Sequence, residues 1–239
     1  MPECLALAVD TYSLWENGKV LHVKFLGGSK SVHKQVEMFA KEWETHANIK
    51  FNFVNDADAH IRVSFFQRVG SHSQVGKEAL KVVGDEPTMN LDVSDSTSQQ
   101  ELRRQVLHEF GHALGCIHEH CSPRAAIQWD VEGVYSYYQK RGWDRSKVDQ
   151  NIFKKYGLER TKFSTFDSTS IMTYLIPGSH TKTGFSVSYN CELSAIDKEF
   201  IAKVYPKLGG QTHFSCWIMN AIRAIASTAI VLTLQAFTL

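Results

Sequence analysis

Between residues 20 and 26, VLHVKFL, apolar and polar side chains alternate imperfectly until Gly27-Gly28. Period-two patterning that runs into two glycines predicts a strand entering a turn. Over residues 31–46 the apolar positions are Val32, Val36, Phe39, Ala40 and Trp43, the three-and-four spacing of a long amphipathic helix. Alternation returns in NIKFNFV (48–54) and HIRVSF (60–65), which predict two more strands, and MNLDV (89–93) is a shorter candidate after Pro87. A second helix over 98–114 follows from Leu102, Val106, Phe110 and Leu114, with Ser98 and Glu101 at capping-box spacing. This order predicts an α+β fold whose first half is a sheet backed by two helices.

After Gly115 the periodicity fades. Residues 131–139 and 146–153 read as short helices, and 194–204 as the last one, with Ser194 and Asp197 as its cap and Pro206 beyond its end. No internal repeat or low-complexity run interrupts the chain.

Composition narrows the function classes. A chain of 239 residues with 43% hydrophobic content can bury a full core. Its formal net charge of +1 argues against nucleic acid or another polyanion as partner. Residues 140–162 carry eight Lys or Arg against three acids and read as a solvated, mostly helical face. The five cysteines, Cys4, Cys116, Cys121, Cys191 and Cys216, are too few and scattered for a disulfide scaffold. A Cys116–Cys121 or Cys121–Cys191 bridge, buried free thiols, and soft metal ligation by the pair flanking His118 all stay open. The N-terminus MPECLALAVD has no basic region before its short apolar run, so it is expected to pack in the core and not to act as a secretion signal. Residues 217–239 carry one charge, Arg223, and reach the length of about 20 residues that crosses a bilayer. A membrane anchor, a docked terminal helix and an unstructured appendage are the alternatives for that tail.

The chemistry concentrates in HEFGHALGCIHEH, where residues 108–120 hold four histidines and two glutamates. His108 and His112 lie one turn apart on the same helical face, so their imidazoles can share one zinc ion. Glu109 stands beside that face, where a carboxylate that does not bind the metal can take a proton from water and pass it to a leaving amine. His118 would lie about 240° round and about 9 Å along an unbroken helix, out of reach of the same ion. Gly115 offers the remedy, because a left-handed residue ends the helix and turns the chain back. The geometry therefore predicts a helix ending near Gly115 and a third imidazole arriving from the following loop. Three histidines would leave one position open for water, the arrangement of a catalytic zinc. His120 is assigned a role outside the ligand set.

HEFGHALGCIH followed by SIMTY at 170–174 resembles the metzincin zinc endopeptidases and, through Glu119 and Tyr174, the astacin family in particular. The resemblance extends from about residue 14 to 206. It implies a metzincin-like α+β fold with a twisted sheet backed by two long helices, an irregular C-terminal half with a Met-turn, and a terminal helix. The implied organisation is a catalytic domain over 11–208, divided at about 118 into upper and lower parts, with an apolar tail over 209–239. It implies one zinc per chain on His108, His112 and His118, with Tyr174 as a further weak ligand and oxyanion donor. Glu109 becomes general base and acid, Met172 the floor beneath the metal, and residues 90–93 the sheet-edge strand that takes an extended peptide. The partner is then a peptide or protein substrate, and the location secreted. A signal, a propeptide and a two-disulfide pattern are also implied, none of which the chain clearly reproduces. The alternative is a zinc-stabilised pseudo-protease that binds peptides; oligomeric state and cleavage preference are not legible.

Overall fold

The computed structural model describes residues 8–55, 58–122, 125–157, 161–162 and 166–207. Strands β1 (Ala8–Asp10), β2 (Val20–Phe25), β3 (Lys50–Phe53), β4 (Ile61–Ser64), β5 (His72–Ser73), β6 (Met89–Asn90), β7 (Cys116–Ile117) and β8 (Thr161–Lys162) build two sheets. The larger runs β3-β2-β4-β6-β5, with β5 antiparallel to β6 and the other pairs parallel. In the smaller, β1 lies between β7 and β8, antiparallel to both. The helices are α1 (Lys30–Ala40), α2 (Gln99–Ala113), α3 (Val131–Gln139), α4 (Arg145–Val148) and α5 (Ala195–Val204).

Parallel strands need crossovers, and α1 carries the chain from β2 to β3. Its buried stripe of Val32, Val36, Phe39 and Ala40 joins Leu102, Val106 and Phe110 of α2 and the sheet residues Leu21, Val23, Phe51, Ile61 and Val63 in one core. The expected long first helix stops at Ala40 and continues as a 3-10 turn, Trp43–Thr45. That tighter winding carries Trp43 inward, where its indole N–H donates to the Leu107 carbonyl at 3.0 Å. Strand β4 is buried throughout, although its sequence alternates. Arg62 is enclosed there because its guanidinium donates to the carbonyls of Glu86, Ala59 and Val82.

Ser98 caps α2 by accepting the Glu101 amide, but the Glu101 carboxylate turns to Arg104 and Gln105, so the cap is one-sided. At α5 both halves of the capping box form between Ser194 and Asp197. The helix predicted over 146–153 is α4 followed by a wider π-turn, Asp149–Phe153. With α3 it encloses a smaller apolar cluster of Val134, Val148 and Ile152, against which Trp129, Phe153 and Tyr174 pack. Of the N-terminal segment expected to pack in the core, Ala8, Val9 and Asp10 are buried, and residues 1–7 lie outside the described residues. Among the described residues no helix is long and apolar enough to cross a membrane, and the tail over 217–239 lies outside them.

Candidate metal centre and active site

Helix α2 ends at Ala113, and Gly115 follows with φ +97°. A side chain there would be strained, and its Cβ would meet Leu14 Cδ2 at 2.8 Å. The reversal sends residues 116–117 back as β7 and delivers His118 to the helix face that carries His108 and His112. One candidate ligand atom from each of the three lies within 4.8 Å of the others. Nε2 of His112 and Nε2 of His118 are 3.1 Å apart. Two nitrogens each about 2.05 Å from one tetrahedral ion would stand roughly 3.3 Å apart, so this pair fits zinc.

The tautomers fit too. His108 Nδ1 faces the Ile171 carbonyl at 2.8 Å, and His112 Nδ1 faces the Cys116 carbonyl at 2.8 Å. A carbonyl only accepts, so both Nδ1 atoms carry hydrogen and both Nε2 atoms keep a lone pair for a cation. Burial holds these rings neutral: it pushes His112 down to about 4, and His108 and His118 well below the usual imidazole value. Neutral imidazoles are what a metal requires.

Glu109 is buried beside them, and its Oε2 has no hydrogen-bond partner among the described residues. Burial pushes its carboxyl up to about 8, while Arg104 pulls the other way. A carboxylate with a free oxygen at the edge of a metal site is suited to hold the proton of a water. The cleft outside it, about 410 Å³, is lined by Gly70, Ser71, Asp92, Arg104, Gln105, His108, Glu109 and Tyr174.

The sequence profile of the Astacin peptidase family matches residues 8–216. The chain belongs to the astacin family. It is a zinc metalloendopeptidase of that family, and it acts on peptide or protein substrates. It is similar to two solved structures of myroilysin. One is 46% identical, at a TM-score of 0.82, over 84% of this chain and 98% of that one. The other is 44% identical, at 0.64, over 82% and 86%. The zinc-protease hatching enzyme High choriolytic enzyme 1 of Oryzias latipes shares the fold at 16% identity, with a TM-score of 0.53 over 82% of this chain and 95% of that one. No curated protein matches the sequence.

In this astacin Met172 is fully buried under α2. A Cβ on Gly111 would come within 2.5 Å of its sulfur, so the helix can lie on the Met-turn only where it lacks a side chain. Tyr174 faces the imidazoles, its ring centroid 4.1 Å from His118 and 5.8 Å from His108. Tyr174 lines the cleft, and burial raises its pKa, which keeps the phenol protonated as a donor. His120 stacks on His118 at 5.2 Å but sends Nε2 to the Asn151 carbonyl, outside the three-histidine group.

Glu119 turns away from the cleft. Its Oε1 accepts the Asp167 amide at 3.1 Å, its Oε2 has no described partner, and burial pushes it up to about 8. Cys116, Cys121 and Cys191 are free thiols, so neither bridge considered from the sequence forms. The assignment of residues 90–93 to a sheet-edge strand is corrected: only Asn90 of them lies in a strand, β6, which is flanked by β4 and β5, so the edge on this side belongs to β5. A two-residue strand has no period to read. Also missed were the Cys116 carbonyl, four residues beyond His112, and two long-range contacts, the Ile171 carbonyl on His108 and the reach of the Asp197 carboxylate from its own cap to the Ile171 amide, which packing sets.

Proposed function

We propose that His108, His112 and His118 hold one catalytic zinc ion and that Glu109 and Tyr174 carry the chemistry of internal peptide-bond hydrolysis. The convergence of His112 and His118 through Nε2 at 3.1 Å, with the Nδ1 atoms of His108 and His112 tied to carbonyls, is the observation that carries this reading. When bound, such an ion polarises the substrate carbonyl and lowers the pKa of water to about 7.

Glu109 accepts a proton as the water oxygen attacks the carbonyl carbon, using the oxygen that has no other partner. Tyr174 donates its phenolic hydrogen to the oxygen that gains charge. As the C–N bond breaks, Glu109 delivers the same proton to the leaving nitrogen, so one water is consumed and no acyl-enzyme forms. Strand β5 at the sheet edge offers its backbone to an extended substrate beside the cleft.

The test is cleavage of unfolded casein by the full chain with chelator, then with zinc restored. Activity lost and regained in step with one zinc per chain supports the reading. A zinc-bearing protein that leaves casein intact places the chain among peptide-binding modules instead.

A further inference from the structure

Beside the first three histidines a second set of ligands converges. His118, His120 and Cys121 each offer a ligand atom within 4.8 Å of the others. The local fold explains the meeting: the 3-10 turn Glu119–Cys121 is closed by the Cys121 amide donating to the His118 carbonyl at 2.9 Å. In 3-10 winding, residues three apart stand above one another, which places 118 and 121 on one side. His120 reaches the same place by stacking its ring on His118 at an interplanar angle of 16°.

Two of these groups are enclosed and unused. His120 is 1% exposed; its Nε2 donates to the Asn151 carbonyl, so Nδ1 keeps a lone pair, and that atom is buried without a partner among the described residues. Cys121 is 3% exposed and its thiol is free. A buried imidazole nitrogen left bare beside a buried thiol is costly unless something occupies the space between them.

We propose that His118, His120 and Cys121 form a second, inhibitory site for a thiophilic d10 cation such as Zn2+ or Cd2+, which shares His118 with the first ion. The inference rests on the zinc site proposed above. One sulfur and two imidazole nitrogens suit such a cation and leave one position open. Binding releases two protons to solvent: the Cys121 S–H bond gives way to a sulfur–metal bond, and His118, whose Nε2 serves the first ion, gives up its Nδ1 hydrogen so that the ring bridges the two cations as an imidazolate. The site fills after the first, because the added charge lies near Lys155, whose ammonium donates to the His120, Ser122 and Ala125 carbonyls of the same loop. Because His118 serves both ions, filling the second site weakens the first and lowers turnover in excess metal.

The full chain, stripped of metal, is titrated with Cd2+ and in parallel with Zn2+. Bound ions are counted by equilibrium dialysis, the ultraviolet sulfur-to-cadmium band is followed, and casein cleavage is measured on the zinc-loaded protein. Two ions per chain are expected, with the band and the inhibition appearing at the second. Cys121→Ser should keep the basal activity and the first ion, lose the band, and raise the inhibitory metal concentration at least about tenfold. Cys121→Ala should give the same stoichiometry as Cys121→Ser. Saturation at one ion, or a band and inhibition that survive in Cys121→Ser, overturns the proposal. His112→Ala separates the two sites: if it loses the first ion while the sulfur band persists, only the second site is being read, whatever the fate of the proteolytic assignment.

Discussion

The carboxylate of Asp197 accepts the backbone amide of Ile171 at 2.8 Å, although 26 residues separate them. The same side chain accepts the Ser170 hydroxyl at 2.7 Å and the Ser194 amide at 2.9 Å, while the Ile171 carbonyl faces His108 Nδ1. The cap of α5 thus braces the Met-turn, and the Met-turn orients a candidate zinc ligand.

Replacing Asp197 should therefore loosen the metal without touching it. Asp197→Ala leaves two amides and a hydroxyl buried and unpaired, and loss of such support costs roughly 10–100-fold in metal affinity. Competition with a chromophoric chelator measures this. Unchanged affinity in a folded variant would break the link from α5 to His108.

Glu109→Gln keeps the size of the side chain and removes its basicity. Turnover should fall by about 10²–10⁴ with zinc still bound, as expected for a lost general base. Metal content and casein cleavage are measured on the same preparation, and parental activity would refute the role.

Tyr174→Phe removes one hydroxyl from the cleft. Loss of one oxyanion donor typically lowers kcat by about 10²–10³. KM should change little, because the hydrogen bond strengthens only as charge develops. A raised KM at constant kcat would reassign Tyr174 to substrate binding.

Gly111→Ala tests the floor. Its Cβ would intrude on the Met172 sulfur, and overpacking of this kind costs about 1–3 kcal/mol. Thermal unfolding should show a lowered Tm, and an unchanged Tm would mean that the turn yields freely.

The chelated protein should be most stable near pH 6 to 7. Burial pushes His112 and His120 down to about 4, and His108 and His118 fall too. Between about 4 and the ordinary 6.5 the unfolded chain then binds more protons, so stability falls as pH drops through that window. Glu109 and Glu119, pushed up to about 8, act with the opposite sign: the folded chain holds more protons between 4.5 and 8, so stability falls as pH rises through that range. Asp197, pushed up to about 6, acts in the same direction as the glutamates from 3.8 to 6. These four histidines, joined by His46, His60 and His180, which burial also lowers, outweigh the three acids in the lower window, and above 6.5 the glutamates act alone. Tm measured across pH in chelator checks this, and a Tm still climbing from about pH 7 to 9 would contradict it.

Residue spacing alone reveals whatever depends on neighbours three or four positions apart. His108 and His112 share a helical face because of their spacing, and Gly115 had to break the helix if His118 was to join them. The period of Val32, Val36 and Phe39 announced α1 in the same way. Only the tertiary structure decided which nitrogen of His108 is free, because the Ile171 carbonyl that selects it comes from the distant Met-turn; for His112 the selecting Cys116 carbonyl is only four residues on, delivered by the turn at Gly115. Tertiary structure also set β5, and not β6, at the sheet edge, and gave Asp197 a second task beyond its own helix. Local periodicity records which face of an element is buried; it carries no information about the partner that buries it, since that partner is brought from afar by the folding of the whole chain.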